Sequence, residues 1–297
     1  MCIRDSAKTV RRNRSWRTGE LEATPKTPGL ARSAATLLAV NLAVVAYTQV
    51  DIIMMSILAD ATAMGWYTAA ERFYTTSLFA ANVVLAAALP SMARLSSDDE
   101  RAIDLTRRAF RVLLVAAMAL GLGLWAVSDR AAPLLFGTSF TEASGVLALF
   151  ALAIPATYVL ILLGGVAFAT GRERVWLRIQ VVGLLATIAG NWVLIPIADQ
   201  EFGNAALGGA WTTLAIELAL VPIAVWKIQP DLLDRRTISQ LIRSLASGAV
   251  MAIVVVAGSA WPLVALILVG AIVYGTLLTV LGGLPIDDLR ALRGVST

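Results

Sequence analysis

The placement of basic residues constrains this chain more than any other feature. Long apolar runs alternate with polar gaps, and when the gaps are numbered alternately, one set holds nearly all of the 24 Lys and Arg residues. The exceptions are Arg130, which lies in the other set, and Arg72, which lies inside an apolar run. Short loops rich in Lys and Arg stay on the cytoplasmic side of a membrane. The alternation therefore predicts a multi-pass protein of the bacterial inner membrane, with both termini in the cytoplasm.

Composition agrees with a membrane location and excludes several functions. The chain is 58% hydrophobic and 15% charged, with a mean hydropathy of +0.78, whereas about a quarter of the residues in a soluble domain are charged. The net charge is +4, but the basic residues lie beside acidic ones in the gaps, which indicates membrane anchoring rather than nucleic-acid binding. The chain has no His and a single Cys, Cys2. We therefore predict no metal site, no cofactor and no disulfide.

Eight apolar runs are long enough to cross a bilayer as helices, which requires about 20 residues each. The sequence therefore predicts an all-α integral membrane protein. The last two runs are separated only by residues 258–262, so that a single re-entrant hairpin is the alternative there. The predicted spans are Ala34 to Leu58, Trp66 to Leu89, Ala109 to Val127, Gly145 to Ala169, Val175 to Ile197, Ala205 to Trp226, Leu241 to Gly258 and Pro262 to Leu281.

The gaps also predict a domain organisation. Residues 1–32 form a cytoplasmic N-terminal segment, in which residues 1–6 resemble a scar of gene assembly, and we expect the natural N-terminus to be missing. Residues 33–228 form a bundle of six helices, and residues 229–240 form a cytoplasmic linker. Residues 241–284 hold two terminal transmembrane helices, and residues 285–297 form a cytoplasmic tail.

Four charged residues lie inside predicted spans, where charge is costly and usually faces a protein interior or a wet cavity: Asp51, Glu71, Arg72 and Glu217. Asp51 and Arg72 each lie about ten residues from the tip of the first helical hairpin, so both sit roughly 15 Å below it. One interpretation is a salt bridge that locks the two helices. The other is a central cavity, in which Arg72 meets an anionic substrate or Asp51 takes a cation.

Glu217 lies halfway along the sixth predicted span. A bare carboxylate is disfavoured in a low dielectric, so Glu217 is expected to be protonated or paired. It is either a neutral group hydrogen-bonded to a neighbouring helix or a site of ion coupling. The acidic stretches at residues 98–100 and 287–288 have no further metal ligands beside them, and we interpret them as solvated surface. No catalytic residue is predicted, and the chain is not expected to be an enzyme.

Several short motifs carry a resemblance to a known family. Val50 to Met55 contains Asp51, Met64 to Arg72 follows a Gly-x-Tyr-x-Ala-Ala-x-Arg pattern, and Ala88 to Leu95 follows a Pro-x-x-x-Arg-Leu pattern. Gly171-Arg172, Asn191 to Pro196, and Leu207 to Trp211 follow in order, ahead of Glu217. Between about Leu37 and Trp226 the chain resembles the bacterial polysaccharide flippases of the multidrug/oligosaccharidyl-lipid/polysaccharide exporter superfamily, whose fold is MATE-like.

The resemblance implies a fold with two six-helix lobes and two terminal helices, of which this chain would be the last eight helices. It implies translocation of an undecaprenyl-pyrophosphate-linked oligosaccharide by alternating access, next to glycosyltransferases or a polymerase of the same pathway. Arg72 would then contact an anionic headgroup or sugar acid, and Asp51 and Glu217 would couple transport to a proton or sodium gradient.

Other functions remain open from the sequence. A MATE-type drug or metabolite exporter coupled to H⁺ or Na⁺ would have the same fold. A membrane polysaccharide polymerase or ligase is disfavoured, because the outward gaps are short and nearly uncharged. A non-catalytic scaffold for synthesis enzymes is the third alternative.

Overall fold

The structure, a computed structural model, describes residues 30–92, 100–258 and 260–289, and within them it is built from helices without strands. Most of the predicted N-terminal segment, including residues 1–6, lies outside the described residues, as do Arg290 and Arg293 of the predicted tail. Within these residues we number nine α-helices: α1 (Leu30–Leu58), α2 (Ala61–Ser77), α3 (Phe79–Met92), α4 (Glu100–Phe136), α5 (Ala143–Ala169), α6 (Glu173–Phe202), α7 (Ala205–Ile228), α8 (Arg235–Ala257) and α9 (Leu263–Val280).

The chain divides into two compact units, Met1–Leu38 and Ala39–Thr297. Of the first unit, only the start of α1 is described. All contacts reported below belong to the second unit. The division that the sequence predicts between a six-helix bundle and two terminal helices stays a prediction.

Seven of the nine helices are long and apolar enough to cross a membrane, which confirms an all-α integral membrane protein. They correspond to seven of the eight predicted spans. α8 and α9 are separate helices of 23 and 18 residues, as expected for two spans rather than one re-entrant hairpin. α8 begins at Arg235, inside the stretch predicted as a linker, because Asp234 caps its first turn by accepting a hydrogen bond from the backbone N–H of Thr237 at 2.7 Å.

The second predicted span is not one helix, and this is the main difference from the sequence prediction. It is divided at Leu78 into α2 and α3, of 17 and 14 residues. The hydroxyl of Tyr158 on α5 donates to the carbonyl oxygen of Ser77 at 2.5 Å, and the Ser77 hydroxyl donates to the carbonyl of Tyr74 at 2.6 Å. Side chains that enter the backbone ladder in this way interrupt or bend a helix.

α5 lies at the centre of the second unit. It is the most buried of the seven long helices, and it contacts α2, α3, α4 and α7. α8 packs on α4, and α9 packs on α8 and α4. α6 packs closely on α7 because Gly208 has no side chain: a methyl group there would overlap the backbone of Leu194 and Ile195. Small residues allow such close approach of membrane helices.

Hydrogen bonds between connectors define one end of the bundle. The indole nitrogen of Trp66 donates to the carbonyl of Ser139 at 3.0 Å, and the Arg130 guanidinium donates to the carbonyl of Trp261 at 2.9 Å. These residues lie in or beside the connectors α1–α2, α4–α5 and α8–α9. The alternation of basic residues assigns all three to the same, outer side.

The opposite end is joined in the same way. The Arg172 guanidinium donates to the carbonyl of Ile228 at 2.7 Å, and Arg107 donates to the carbonyl of Asp231 at 2.7 Å. These residues lie near the connectors that the charge pattern assigns to the inner side. Each of the four hydrogen bonds therefore joins segments that the sequence places on one side of the membrane.

Candidate functional site

Asp51 is held by two other helices. It lies on α1, where its Oδ1 accepts a hydrogen bond from Nδ2 of Asn191 on α6 at 2.6 Å. Its Oδ2 lies 3.3 Å from the hydroxyl of Thr213 on α7. That hydroxyl also lies 3.1 Å from the carbonyl of Gly209, one turn earlier on α7. Within the part of the chain that the structure describes, Asp51 therefore has polar partners but no cationic one.

The amide of Asn191 supplies an additional oxygen at this position. Asn191 is fully buried, and its Oδ1 has no hydrogen-bond partner in the structure. The carboxylate of Asp51, the hydroxyl of Thr213 and this amide oxygen are all hard donors, and Asn191 meets Asp51 through its Nδ2. Oxygen ligands of this kind suit alkali and alkaline-earth cations. No group of three or more His, Cys, Asp or Glu residues within the described ranges suits a transition metal.

Glu217 is buried at the junction of three helices. The phenol of Tyr74 on α2 donates to its Oε1 at 2.8 Å, and the hydroxyl of Thr157 on α5 contacts its Oε2. The Tyr74 and Thr157 hydroxyls also lie 2.7 Å apart, which closes a ring of three oxygen contacts. Tyr74 and Thr157 supply only two protons for these contacts, and Thr157 also lies 3.0 Å from the carbonyl of Ala153. A proton on Glu217 would complete the ring.

The two carboxyl groups belong to one polar region. Thr213 and Glu217 lie one turn apart on α7, and Asp51 is close enough to Glu217 for the two groups to interact electrostatically. The contacts from Tyr74 and Thr157 show that Glu217 is hydrogen-bonded to neighbouring helices, as one of the two interpretations of the sequence expects. We call this region the polar cluster; its members are Asp51, Asn191, Thr213, Glu217, Tyr74 and Thr157.

Arg72 does not pair with Asp51, which corrects the salt-bridge interpretation. Among the described residues, the ion pairs within 4.0 Å are Arg108–Asp104, Arg108–Asp288 and Arg111–Asp288. Asp51, on α1, faces α6 and α7. Arg72, on α2, instead faces α4 and α9. The equal depth that the sequence predicts therefore does not bring the two side chains together.

Arg72 instead lines an apolar cavity of about 670 Å³ between α2, α4, α8 and α9. Of the described residues that line the cavity, Arg72 alone is charged, and the others are mostly aliphatic and aromatic. Phe73 and Phe136 form part of the wall and meet edge to face, with ring centroids 5.6 Å apart. Tyr274 on α9 lines the wall across from α2. The wall of the cavity thus combines one cationic group with a large apolar surface.

Sequence reasoning missed the residues that surround the carboxyl groups. Tyr74, Thr157 and Thr213 are the main omissions, whereas Asn191 was named only as the first residue of a motif that carries the family resemblance. Thr213 could have been found from its spacing of one helical turn from Glu217, which places both side chains on one face of α7. Nothing in the sequence indicates that Tyr74 and Thr157 meet Glu217, because they lie on different helices.

Comparison with known proteins gives one match. Residues 23–145 match the model of a family described as polysaccharide biosynthesis protein. This stretch is less than half of the chain and contains Asp51 and Arg72. Neither a curated protein nor a solved structure matches the chain. The chain is thus a multi-pass membrane protein with helices for at least seven crossings, and its first half is similar to polysaccharide biosynthesis proteins.

Proposed function

We propose that this chain is part of a transporter that moves a lipid-linked oligosaccharide across the bacterial inner membrane during polysaccharide biosynthesis. The substrate would be an oligosaccharide joined to undecaprenyl pyrophosphate. The observation that carries the proposal is the apolar cavity with Arg72 in its wall. The family match to polysaccharide biosynthesis proteins supports the same pathway. The chain acts by transport and uses no catalytic residue.

The cavity suits a molecule that is apolar over most of its length and anionic at one point. Its volume lies within the range of about 300–1,000 Å³ typical of small-molecule sites. The apolar lining would receive part of a polyprenyl chain. The guanidinium of Arg72 would bind the pyrophosphate or an acidic sugar, since a planar fork of donors matches such oxyanions. Arg72 has no ion-pair partner within 4.0 Å among the described residues, so it is available for this contact.

The polar cluster would couple transport to an ion gradient. Asp51, Thr213 and the unpartnered amide oxygen of Asn191 favour Na⁺ at the first carboxyl group. The ring around Glu217 favours a proton at the second, because it contains more oxygen contacts than hydroxyl protons. A buried ionisable residue inside a membrane bundle is most often part of such a pathway.

The proposed arrangement follows the resemblance in the sequence. Residues 33–228 would form one lobe of a MATE-like transporter, which would alternate between inward and outward access against a second lobe. Both termini would lie in the cytoplasm, where glycosyltransferases or a polymerase of the pathway would supply or consume the substrate. The exposed apolar faces of α1 and α6 offer surface for the second lobe or for lipid.

Substrate binding by the purified chain tests the proposal without requiring a second lobe. We expect undecaprenyl-pyrophosphate-linked oligosaccharide to bind, and Arg72→Gln to weaken binding by about tenfold or more, as for the loss of a charge-assisted contact. The control is Arg178→Gln, which removes an exposed arginine that does not line the cavity. Ala271→Trp fills the cavity and should also weaken binding, whereas Ile272→Trp, at an exposed neighbour outside the cavity lining, should not.

Two results would contradict the proposal. One is equal binding by the chain and its Arg72→Gln and Ala271→Trp variants. The other is unchanged lipid-linked repeat units in a strain that lacks the gene, together with altered efflux of cationic dyes. The second result would favour the drug or metabolite exporter.

A further inference from the structure

A second cavity, of about 450 Å³, lies at the opposite end of the bundle from the tip of the α1–α2 hairpin. It is bounded by the start of α4, the start of α8 and the segment after α9. Two aspartates, Asp287 and Asp288, also line it. We call this cavity the basic pocket because five arginines line it: Arg108, Arg111, Arg235, Arg236 and Arg243.

Part of this positive charge is used within the protein. Nε and Nη2 of Arg111 donate to the two carboxylate oxygens of Asp288 at 2.7 and 2.8 Å. Nη1 of Arg243 donates to the carbonyl of Gly282 at 2.6 Å. These contacts fix the segment after α9 against α4 and α8, and so they build one wall of the basic pocket.

Arg235 and Arg236 are not used in this way. Both side chains are exposed, and among the described residues neither makes a hydrogen bond or an ion pair through its guanidinium. They occupy the first turn of α8, where the helix dipole is positive and acidic residues are the favourable choice. Asp234 offsets part of that charge by capping the helix. The five arginines outnumber the two aspartates in the lining, so the basic pocket keeps a net positive charge.

An apolar groove continues from the basic pocket along α8. A cavity of about 370 Å³ is lined by Arg235, Ile238, Ser239, Ile242 and Arg243, so that three of its five residues also line the basic pocket. These positions recur every three or four residues and therefore share one face of the helix. Ile238 and Ile242 are exposed on that face. The basic pocket thus adjoins a groove that contains two exposed isoleucines.

We propose that this face of α8 binds an anionic phospholipid of the adjacent leaflet. The phosphodiester would sit among Arg235, Arg236 and Ser239, and one acyl chain would lie along Ile238 and Ile242. Basic pockets between membrane helices on the cytoplasmic side are suited to anionic headgroups. The leaflet is the cytoplasmic one in the proposed orientation. The bound lipid would fill the space between α8 and the segment after α9.

Native mass spectrometry of the chain in detergent, titrated with phosphatidylglycerol or phosphatidylcholine, tests this assignment. We expect phosphatidylglycerol to bind at least tenfold more tightly. Arg235→Gln combined with Arg236→Gln should weaken its binding on the order of thirtyfold. Arg174→Gln combined with Arg178→Gln removes the same charge from two exposed positions on α6 and should leave binding within twofold.

A second pair of variants tests the acyl-chain groove. Ile242→Ser should weaken phosphatidylglycerol binding about fourfold or more, as for loss of at least one buried methylene group. Ile272→Ser on α9, at a similarly exposed isoleucine, should not. The assignment is overturned if both arginine pairs weaken binding equally, if phosphatidylcholine binds as tightly, or if inorganic phosphate displaces the lipid at equal concentration. Displacement by undecaprenyl phosphate at lower concentrations would assign the pocket to the carrier lipid instead.

Discussion

At the scale of single residues, Glu217 shows how an apolar bundle holds a carboxyl group. Its two oxygens meet the hydroxyls of Tyr74 and Thr157, and the two hydroxyls meet each other. A buried polar group without partners costs free energy, so the ring stabilises Glu217 and also fixes the relative positions of α2, α5 and α7. Loss of either hydroxyl group would therefore leave Glu217 without one of its hydrogen-bond partners.

Tyr74→Phe should lower the free energy of unfolding by about 1–3 kcal/mol, because it leaves a buried carboxyl oxygen without its donor. SDS-driven unfolding in micelles measures this loss. In a Glu217→Leu background the same substitution should cost much less, since there is no carboxyl group left to satisfy. Equal losses in the two backgrounds would mean that the Tyr74 hydroxyl and Glu217 are not energetically coupled.

Asp51 is the residue at which Na⁺ binding should be detectable. If the oxygens of Asp51, Asn191 and Thr213 hold Na⁺, the ion stabilises the folded chain by about 2.7 kcal/mol at a concentration 100 times its Kd. We expect a higher Tm in NaCl than in choline chloride. Asp51→Asn should abolish this difference, and Asp129→Asn, at an exposed position on α4, should preserve it. A sodium effect that survives Asp51→Asn would place the ion elsewhere.

At the scale of elements, the start of α8 depends on one capping residue. Asp234 has an extended backbone and accepts from the Thr237 N–H. Partial burial by itself would raise the pKa of Asp234, but the hydrogen bonds from Thr237, with nearby Arg107 and Arg111, hold the pKa below its ordinary value. The charged cap therefore stabilises the fold fully above the ordinary pKa of the carboxyl, and this contribution is lost as the pH falls through the lowered value.

Asp234→Ala should accordingly reduce the free energy of unfolding by about 0.5–2 kcal/mol at neutral pH. Asp234→Asn keeps a capping oxygen and should cost less at neutral pH. Because an amide does not titrate, the contribution of this cap to the free energy of unfolding should not fall with the pH. Unfolding measured at pH 7 and at pH 3 in parallel provides the test. An identical pH dependence in the chain and in Asp234→Asn would show that other groups determine the acid sensitivity.

The division between α2 and α3 is a second feature of this scale. The Tyr158 hydroxyl occupies the carbonyl of Ser77, which an unbroken helix would use for its own ladder. The break at Leu78 lies about one turn after Tyr74 and about one and a half turns after Arg72 and Phe73, which line the cavity. A change in the angle between α2 and α3 would therefore move the residues of both proposed sites together.

At the scale of the whole molecule, one buried ion pair connects distant parts of the sequence. Asp288 accepts two hydrogen bonds from Arg111, and both residues are largely buried. Asp288→Ala should lower the free energy of unfolding by roughly 3 kcal/mol, because it leaves the guanidinium without its partner. Asp104→Ala, which breaks the more exposed pair with Arg108, should cost no more than about 1 kcal/mol. Comparable losses would indicate that the Arg111–Asp288 pair is effectively solvated.

The proposed orientation can be tested by labelling in a Cys2→Ser background. Arg174→Cys, at the start of α6, should react with a membrane-impermeant maleimide only after the cells are permeabilised. Ser139→Cys, between α4 and α5, should react in intact cells. Both positions are exposed to the surroundings of the bundle. The reverse pattern would invert the topology, and with it the leaflet assigned to the basic pocket.

The features that depend on local composition were predictable from the residues of each segment. Hydropathy located seven continuous helices, and the alternation of basic residues grouped their connectors into the two ends that the hydrogen bonds confirm. The cost of charge in lipid pointed to Asp51, Arg72 and Glu217 before any contact was known. These properties follow from the residues of one segment and need no partner.

The neighbours that each of those residues faces could not be predicted in this way, because they depend on the packing of the helices. Depth along a helix follows from counting residues, but each residue also turns the side chain by about 100° around the axis. Asp51 and Arg72, which the residue count places at one depth, face different neighbours. The ring around Glu217, the break at Leu78 and the cavity beside Arg72 likewise depend on how several helices pack, and packing is fixed by shape between segments far apart in the chain.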